Sequence, residues 1–276
     1  MTSSGWVIIS HRSVRMPTNP AIFLSVIVPA YNEAELLGAN LDRIKDALTT
    51  ALPPNCAWEL IVCDNNSTDQ TAEIARQAGA QVIFEAHQQI SKARNTGARI
   101  ARGEWLLFLD ADSYPSPALL RDMWELMQTD QFLGCGTTIE VAGGSRFNQL
   151  RMERLNILFR LFKMAGGVCL LCRRVAFEAI KGFGLDLYAY EEFDFIWRLK
   201  KWGKAKGQQF TVLYHNPVIT SGRKGEWQLG TIARLIGSHL LATLLFIFRP
   251  IIPRRVRQWI AKKGLVFWYE SRKDKP

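Results

Sequence analysis

The chain has 276 residues, of which 48% are hydrophobic and 22% are charged, and this length fits one large domain or a domain with an appendage. No Gly/Ser linker, internal repeat or low-complexity block divides it, which excludes a string of small modules. The net charge of +10 is uneven: residues 1–130 carry 10 Lys and Arg against 15 Asp and Glu, and residues 131–276 carry 25 against 10. Such a basic half could face nucleic acid, an anionic membrane, a phosphorylated substrate or only solvent.

The first half of the chain alternates between strand and helix patterns. Apolar, β-branched runs predict strands at Leu24–Ala30, Trp58–Cys63, Gln81–Phe84 and from Trp105 to Asp110. Apolar residues recurring on one face predict helices near residues 32–48, 70–78 and 91–102. This alternation predicts right-handed crossovers and an α/β fold with a mostly parallel central sheet flanked by helices.

The second half is less regular. It contains a predicted strand at Gly166–Cys172, helices at Val175–Ile180 and Glu192–Trp202, and a strand at Phe210–Tyr214. The five cysteines are scattered and odd in number, and the N-terminus lacks a signal-peptide pattern. We therefore expect reduced thiols and a cytoplasmic protein. Cys169 and Cys172 have Cys-X-X-Cys spacing without a second pair or a nearby His, so we interpret them as buried strand residues.

Apolar and basic residues are mixed near the C-terminus. Nine uncharged apolar or small residues precede Arg249, too few to span a bilayer. Over residues 236–268 the mixture is typical of a helix lying in a membrane interface, at the inner membrane face. The alternative is a helical pair that packs on the domain with its basic face in water.

The predicted strand at residue 105 leads directly into Asp110 and Asp112. Ligands of open α/β sheets collect at the carboxyl ends of strands, and Mg²⁺ or Mn²⁺ commonly joins one or two carboxylates to substrate phosphates. The pair therefore predicts a metal and phosphate site. The alternative is that both residues only end the strand and cap the next helix, since Pro115 and Pro117 follow.

Four segments in this order carry a more specific signal. They are Val-Ile-Val-Pro-Ala-Tyr-Asn-Glu (26–33), Val-Cys-Asp-Asn-Asn-Ser-Thr-Asp (62–69), Ala-Arg-Asn-Thr-Gly (93–97) with Leu-Asp-Ala-Asp (109–112), and Tyr-Glu-Glu-Phe-Asp-Phe-Ile-Trp-Arg-Leu (190–199). Because it has these four segments in this order, the chain resembles a family 2 inverting glycosyltransferase of the GT-A fold over roughly residues 22–225. The resemblance implies metal-dependent transfer of one sugar from a nucleotide-sugar donor, most simply UDP-linked, to an acceptor hydroxyl.

The resemblance also implies a domain organisation. We expect an irregular segment at 1–21 and a GT-A domain at 22–225. Within that domain, residues 22–130 would form the nucleotide-binding half and residues 131–225 the acceptor half. A basic and apolar C-terminal helical extension would occupy residues 226–276.

By the same resemblance, the donor-binding residues come from the ends of the first strands. Pro29, Ala30, Tyr31, Asn32 and Glu33 would form the first donor-binding loop. Asp64 would read the nucleobase, because a carboxylate can accept a ring N–H of uracil or guanine; its alternative is an Asx-turn cap. Arg94 would bridge base or diphosphate through its planar guanidinium, or be an exposed helix residue.

The same segments assign the metal and the base. Asp112, supported by Asp110 across Ala111, would hold Mg²⁺ or Mn²⁺ against the donor's diphosphate. Inversion needs a base that takes the proton of the acceptor hydroxyl, and the family generally uses the second residue of a Glu-Asp pair. Here the pair is Glu191-Glu192, so Glu192 stands where Asp is commoner. Both could instead stabilise a helix start through its dipole, and Asp194 would orient the base or cap the helix.

Three further features are weaker. His215 is the best positional match to a C-terminal metal ligand that some GT-A enzymes use, although a lone His is more often an ordinary hydrogen-bonded residue. The segment containing Arg223 and Lys224 resembles a glycine-hinged basic loop that could close over the diphosphate. Gly166 and Gly167 would let the backbone approach the sugar or only shape a turn.

Other classes fit less well. A sugar-phosphate nucleotidylyltransferase shares the architecture, but its Gly-rich N-terminal loop is absent, and no Gly-X-Gly-X-X-Gly of a dehydrogenase follows the first strand. A nucleic-acid-binding protein is disfavoured because no zinc-ligand set or RNA-binding signature accompanies the basic half. A noncatalytic nucleotide-sugar sensor would lack the metal-binding or base carboxylates, and all of these positions are filled here. We expect the acceptor to be lipid-linked or to be used at the membrane. The sequence does not determine the oligomeric state.

Overall fold

Four parallel strands form the first part of the central sheet. The computed structural model describes residues 23–143, 146–186 and 191–221. Its first strands are β1 (Leu24–Ala30), β2 (Trp58–Asp64), β3 (Gln81–Phe84) and β4 (Trp105–Leu109), in the order β3-β2-β1-β4. The predictions for these four strands are confirmed to within a residue. Because all four run the same way, the polar residues after them meet at one edge of the sheet.

The second half of the chain completes the same sheet. Its strands are β5 (Ser113–Tyr114), β6 (Phe132–Ala142), β7 (Cys169–Arg173) and β8 (Gln209–Ser221), and the order continues β4-β7-β6-β8-β5. Among the described strands four pairings are parallel and three are antiparallel. The predicted mostly parallel sheet is therefore mixed beyond β4, because β7 runs antiparallel to both its neighbours.

Seven helices within the described residues cover this sheet. They are α1 (Leu37–Ala51), α2 (Thr71–Gln77), α3 (Ile90–Ile100), α4 (Pro117–Met127), α5 (Arg146–Phe162), α6 (Arg174–Ala179) and α7 (Glu191–Lys204). The prediction that the first helix begins at Asn32 is wrong. Asn32 has a positive φ of 50°, which an α-helix does not accept, and Leu37 N–H donates to the carbonyl of Glu33 as the first turn forms.

The two faces of the sheet bury separate apolar cores. One contains Leu41 and Ile44 of α1 with Leu119 and Met123 of α4. The other joins β4 to α6 and α7 through an aromatic cluster: the ring centroids of Phe108 and Phe183 lie 5.1 Å apart, and those of Phe183 and Phe195 lie 4.1 Å apart. This second core fixes α7, and with it the acidic start of that helix, against the strand that leads into Asp110.

Other sequence predictions meet the structure more simply. All five cysteines are unpaired and buried, and Cys169 and Cys172 lie on β7 as expected. No helix within the described ranges has the length and apolarity to cross a membrane. The segments predicted at 1–21 and 226–276, and the membrane contact expected at 236–268, lie outside the described residues.

Candidate active site

The loops after β1 and β2 are tied together by hydrogen bonds. Ser67 Oγ accepts from the backbone N–H of Asn32 at 3.1 Å, and Asn32 Oδ1 accepts from the N–H of Thr68 at 2.8 Å. The N–H of Glu33 donates to Thr71 Oγ1 at 2.9 Å. Asn32 can hold its left-handed backbone because Asn tolerates that region better than most residues. The structure thus brings the predicted donor-binding residues Pro29, Ala30, Tyr31 and Glu33 alongside the β2 turn.

Asp64 ends β2, directly opposite Ala30 in the neighbouring strand. Its Oδ1 accepts from the N–H of Ser67 at 3.1 Å, so the Asx-turn alternative is also observed. This turn uses one of the two carboxylate oxygens. Nucleobase recognition by Asp64 therefore remains a prediction, and the turn fixes the orientation of the carboxylate that would perform it.

Asp110, Ala111 and Asp112 form a tight turn after β4. The N–H of Ser113 donates to the carbonyl of Asp110 at 3.0 Å, and Asn40 Nδ2 of α1 donates to the carbonyl of Ala111 at 3.0 Å. Asp112 is buried, and its carboxylate accepts from the hydroxyls of Ser113 and Ser221 at 3.2 and 3.3 Å. These hydroxyls orient the carboxylate, which is a ligand type that a hard divalent cation prefers.

Arg94 links the two acidic motifs. Its guanidinium is 2% exposed, and it donates from Nη1 to Glu191 Oε1 at 3.0 Å and from Nη2 to Asp110 Oδ1 at 3.1 Å. Nη2 also donates to the carbonyl of Gly167 at 2.9 Å. Burial would lower the pKa of Arg94, but Asp110 and Glu191 beside it raise the pKa above its usual value. The exposed-helix alternative for Arg94 is wrong: this side chain organises the centre of the cluster.

Glu191 and Glu192 begin α7, as the sequence indicated. Glu191 is fixed by its ion pair with Arg94. Burial, followed by the adjacent Glu191 carboxylate, raises the pKa of Glu192 to about 8, although Arg94 opposes the shift. The two adjacent glutamates therefore have different environments: Glu191 is paired with Arg94, and Glu192 is held where its protonated form is favoured. A carboxyl group with a pKa near neutrality is suited to proton transfer.

Asp194 occupies a structural position. Its Oδ2 accepts from Arg198 Nε at 2.8 Å, one turn further along α7. Arg198 Nη1 in turn donates to the carbonyls of Ile180 and Gly182 at 2.6 and 2.8 Å. Asp194 therefore holds the segment between α6 and α7 in place, which agrees with support of the base rather than contact with substrate.

His215 does not join the carboxylates. It lies on β8 six residues before Ser221, the residue that contacts Asp112. Six residues of strand span about 20 Å, and the His215 ring instead lies 4.2 Å from that of Tyr214. The described residues also contain no group of three or more His, Cys, Asp or Glu that could hold a metal. The register of β8 therefore places His215 away from Asp112, and its role as a metal ligand stays a prediction. Arg223 and Lys224 lie outside the described residues.

Sequence reasoning missed Asn40 of α1, which fixes Ala111, and it did not predict the contacts made by Ser221 and Gly167. Ser221 contacts Asp112, and Gly167 accepts from Arg94. A Cβ at Gly167 would lie 2.6 Å from Arg94 Nη2, so this glycine makes room for a guanidinium. A polar Asn at a predicted apolar position of α1 was the signal available for Asn40, whereas the other two depend on strand pairings that the sequence does not display.

Comparison with known proteins identifies the family. The protein-family model described as "Glycosyl transferase family 2" matches residues 25–181, more than half of the chain. The chain belongs to glycosyl transferase family 2. Glycosyltransferase AglE of Haloferax volcanii is 36% identical over 134 residues, which cover 46% of this chain but only 40% of that relative.

Solved structures of other proteins share the fold of this chain. The mannosyltransferase PcManGT of Pyrobaculum calidifontis, solved with GDP-Man and Mn²⁺, aligns with a TM-score of 0.61 at 17% identity and covers 96% of this chain and 80% of its own. S. aureus TarS 1-349 in complex with UDP aligns with a TM-score of 0.55 at 19% identity, covering 92% and 74%. The GT-A fold expected from the sequence is confirmed.

The residues present fit the divalent cation that this glycosyltransferase family 2 site would use. Mg²⁺ and Mn²⁺ sites of nucleotide enzymes take one or two carboxylates, and substrate phosphates and water complete the coordination. Asp112 is oriented by two hydroxyls, and Asp110 keeps its side chain 22% exposed beside it. A two-carboxylate set at a strand end is a suitable platform for a cation bound together with a diphosphate.

Proposed function

We propose that this glycosyltransferase moves a single sugar from a UDP-linked donor to an acceptor hydroxyl, with inversion at the anomeric carbon and with Mg²⁺ or Mn²⁺ bound. The observation that supports this most strongly is the Arg94 network. One buried guanidinium contacts Asp110, from the nucleotide half, and Glu191, from the acceptor half. It holds the proposed diphosphate site and Glu191, the residue directly before the proposed base, in one arrangement.

In this proposal the donor's nucleotide lies along the ends of β1 and β2. Asp64 accepts a hydrogen bond from the ring N–H of the base, and the loop from Pro29 to Glu33 surrounds the nucleoside. Asp110 and Asp112 would hold the cation against the diphosphate. When bound, the cation would neutralise the charge that develops on the departing nucleoside diphosphate.

The acceptor half supplies the proton transfer. Glu192 takes the proton of the acceptor hydroxyl as its oxygen attacks the anomeric carbon from the side opposite the leaving group. The bond from that carbon to the diphosphate oxygen breaks as the new glycosidic bond forms. Glu191 and Asp194 position the start of α7, because each is held by an arginine, Arg94 and Arg198 respectively.

Thermal stabilisation by nucleotide sugars tests the donor site. A ligand that binds only the native state raises apparent stability, by about 2.7 kcal/mol at a concentration 100 times its dissociation constant. We expect UDP-sugars with Mn²⁺ to raise the melting temperature, and Asp112→Asn to remove the Mn²⁺-dependent part. Stabilisation by GDP-sugars in preference to UDP-sugars would contradict the donor assignment, and stabilisation independent of Mn²⁺ would contradict the metal assignment.

We also propose that the enzyme works at the cytoplasmic face of a membrane on a lipid-linked acceptor, in the synthesis of cell-envelope or surface glycans. The support is the mixture of apolar and basic residues over 236–268. Flotation with anionic liposomes compares the full chain with a chain ending at Lys224. Equal flotation of both would remove residues 236–268 from the proposal.

A further inference from the structure

The outer face of α5 is unusually apolar for a helix on the protein surface. Six of the eleven exposed large hydrophobic residues in the described parts of the chain lie on it, and Leu161 and Phe162 are 72% and 66% exposed. The other four are Leu150, Leu155, Ile157 and Leu158. With 3.6 residues per turn, Leu150, Ile157, Leu158 and Leu161 lie on the side opposite Phe159 and Asn156, which face β6, and Leu155 and Phe162 lie at the edge of that side.

Basic residues are interspersed with these apolar ones. Arg146, Arg151, Arg154 and Arg160 lie on α5 with a single acid, Glu153, and Lys163 follows the helix directly. Apolar side chains flanked by arginine and lysine are typical of helices that lie in a membrane interface, where the apolar groups enter the acyl boundary and the cations meet lipid phosphates. A contiguous apolar patch on a protein surface marks an interaction site.

The neighbouring helix α7 extends this surface. Lys200 Nζ donates to the carbonyl of Phe162 at 3.1 Å, so the two helices touch at the C-terminal end of α5. Trp197 is exposed on α7, and Lys201 Nζ lies 5.6 Å from the centroid of its ring. A tryptophan beside lysines suits the boundary between lipid and water.

We propose that this face of α5, with Trp197 and Lys201 of α7, docks against an anionic lipid bilayer. The charge of the face selects this occupant. A second copy of the chain in a symmetric pairing would bring two sets of arginines together. Residues 222–276 of the same chain carry 12 Lys and Arg against 3 Asp and Glu, so they have the same sign as α5. Of these occupants, only an anionic bilayer offers both phosphates of opposite charge and an acyl region that accepts apolar side chains.

Docking there has a consequence for the active site, which rests on the function proposed above. Gly167, whose carbonyl accepts from Arg94, follows Phe162 by five residues. Five residues of chain span at most about 18 Å, so the C-terminal end of the docking face lies within that distance of Gly167. We expect an acceptor hydroxyl carried by a membrane lipid to enter the site from this side.

Sedimentation with vesicles tests the docking, with the full chain. Leu161→Glu places a charge on the docking face, and Val175→Glu is the matched control on α6, where the side chain is 60% exposed. We expect binding to vesicles containing phosphatidylglycerol, a loss of about tenfold in the vesicle partition coefficient for Leu161→Glu, and less than about twofold for the control. Equal binding by Leu161→Glu and wild type, or equal binding to neutral phosphatidylcholine vesicles, would overturn the proposal.

A site-specific probe gives a second, independent readout. All five natural cysteines are buried, so a new thiol from Ile157→Cys can be labelled selectively on the folded protein with an environment-sensitive fluorophore. We expect a blue shift of its emission on adding anionic vesicles, and no shift for the same label after Val175→Cys. Dimers that form without vesicles and dissociate in Leu161→Glu would instead identify a second copy as the occupant.

The failure of this proposal is distinguishable from failure of the donor chemistry. Leu161→Glu lies outside the nucleotide-binding half, so metal-dependent stabilisation by UDP-sugars should remain at the wild-type level. Loss of vesicle binding with intact nucleotide binding supports the docking face. Intact vesicle binding by Leu161→Glu rejects it, whatever the donor measurement gives.

Discussion

Arg94 is the side chain on which the geometry of the site depends most. It is buried, and it contacts carboxylates from both halves of the chain together with a backbone carbonyl. Buried charges are tolerated only when paired, and removing one partner of such a pair costs about 3–5 kcal/mol. The network therefore constrains Asp110 and Glu191 to one arrangement, and any substitution that moves the guanidinium should disturb both.

Gly167→Ala tests that constraint without removing a charge. A Cβ at residue 167 would lie 2.6 Å from Arg94 Nη2, whereas one at Gly166 would lie 3.3 Å from the flexible end of Ile139. We expect Gly167→Ala to lower kcat by about 10- to 100-fold, because small displacements of a catalytic arrangement have effects of that size. The matched control, Gly166→Ala, should stay within about threefold of wild type. Equal steady-state rates for the two variants would contradict the positioning role of Arg94.

Glu192 should give the reaction a distinctive pH dependence. A general base acts in its deprotonated form, and burial together with Glu191 raises the pKa of Glu192 to about 8. We therefore expect kcat/KM to rise with pH and to level off above about pH 8. Glu191→Gln removes a neighbouring negative charge, so it should shift this rise to lower pH. A profile that is flat from about pH 6 to pH 9 would argue against Glu192 as the base.

At the level of the element, two loops rather than one helix form the predicted donor site. The residues after β1 do not continue into α1, because Asn32 turns the backbone into the left-handed region and binds Thr68. Ser67 of the loop after β2 and Thr71, the first residue of α2, accept hydrogen bonds from backbone N–H groups of the loop after β1. A pair of mutually bonded loops is more rigid than either alone, which favours a preformed nucleotide site.

Asn32→Ala and Asn32→Gly separate the two contributions of this residue. Both lose the hydrogen bond to Thr68, but Gly accepts a positive φ without strain. We expect Asn32→Ala to lower the free energy of unfolding by about 1–3 kcal/mol and to raise the donor KM. Asn32→Gly should lose less, by about 1 kcal/mol, in urea denaturation. If Ala is tolerated as well as Gly, backbone strain does not shape this loop.

The elements that sequence reasoning predicted well are those with simple periodicity. β1, β2 and β4 are mostly apolar runs buried on both faces, and such runs are recognisable without any partner. β6 and α5 were not predicted. Gly134 and Gly136 interrupt β6, where close neighbours such as Ala165 leave no room for a Cβ, and α5 exposes much of its apolar surface. Such features depend on partners that are distant in sequence.

The active-site residues divide in the same way. The motifs containing Asp64, Asp110 and Asp112 follow predictable strands, so their common edge could be inferred. The position of His215 could not, because β8 extends to Ser221 through irregular pairing with β6. A shift of a few residues along a strand exchanges one candidate ligand for another. Ser221, and not His215, therefore contacts Asp112.

At the level of the whole molecule, two antiparallel pairings, β4 with β7 and β5 with β8, join the two halves. β7 runs beside β4, with Cys169 opposite Leu109, and the N–H of Asp110 donates to the carbonyl of Val168. The pairing of β7 with β4 brings Gly167 to the end of β4 and lets α7 approach Arg94. The proposed nucleotide and acceptor halves therefore share one sheet, and the active site depends on the cooperative folding of both.

Global stability should record the unusual environment of Glu192. Its carboxyl pKa rises from an ordinary value of 4.5 to about 8 on folding. Between these values the native state binds the proton more tightly than the unfolded chain, so this group stabilises the fold below about pH 4.5 and loses that contribution as the pH rises to about 8. We expect Glu192→Gln to reduce the decline in unfolding free energy between about pH 5 and pH 8. Parallel curves for variant and wild type in urea titrations would contradict the shifted pKa.

The most direct test of the central claim is the rate of sugar transfer by Asp112→Asn and Glu192→Gln at saturating donor, acceptor and Mn²⁺. If the strand-end carboxylates hold the metal and Glu192 is the base, each variant should remain folded and lose about 10²–10⁴ in kcat. A folded Glu192→Gln enzyme that transfers sugar at the wild-type rate would contradict the proposed mechanism.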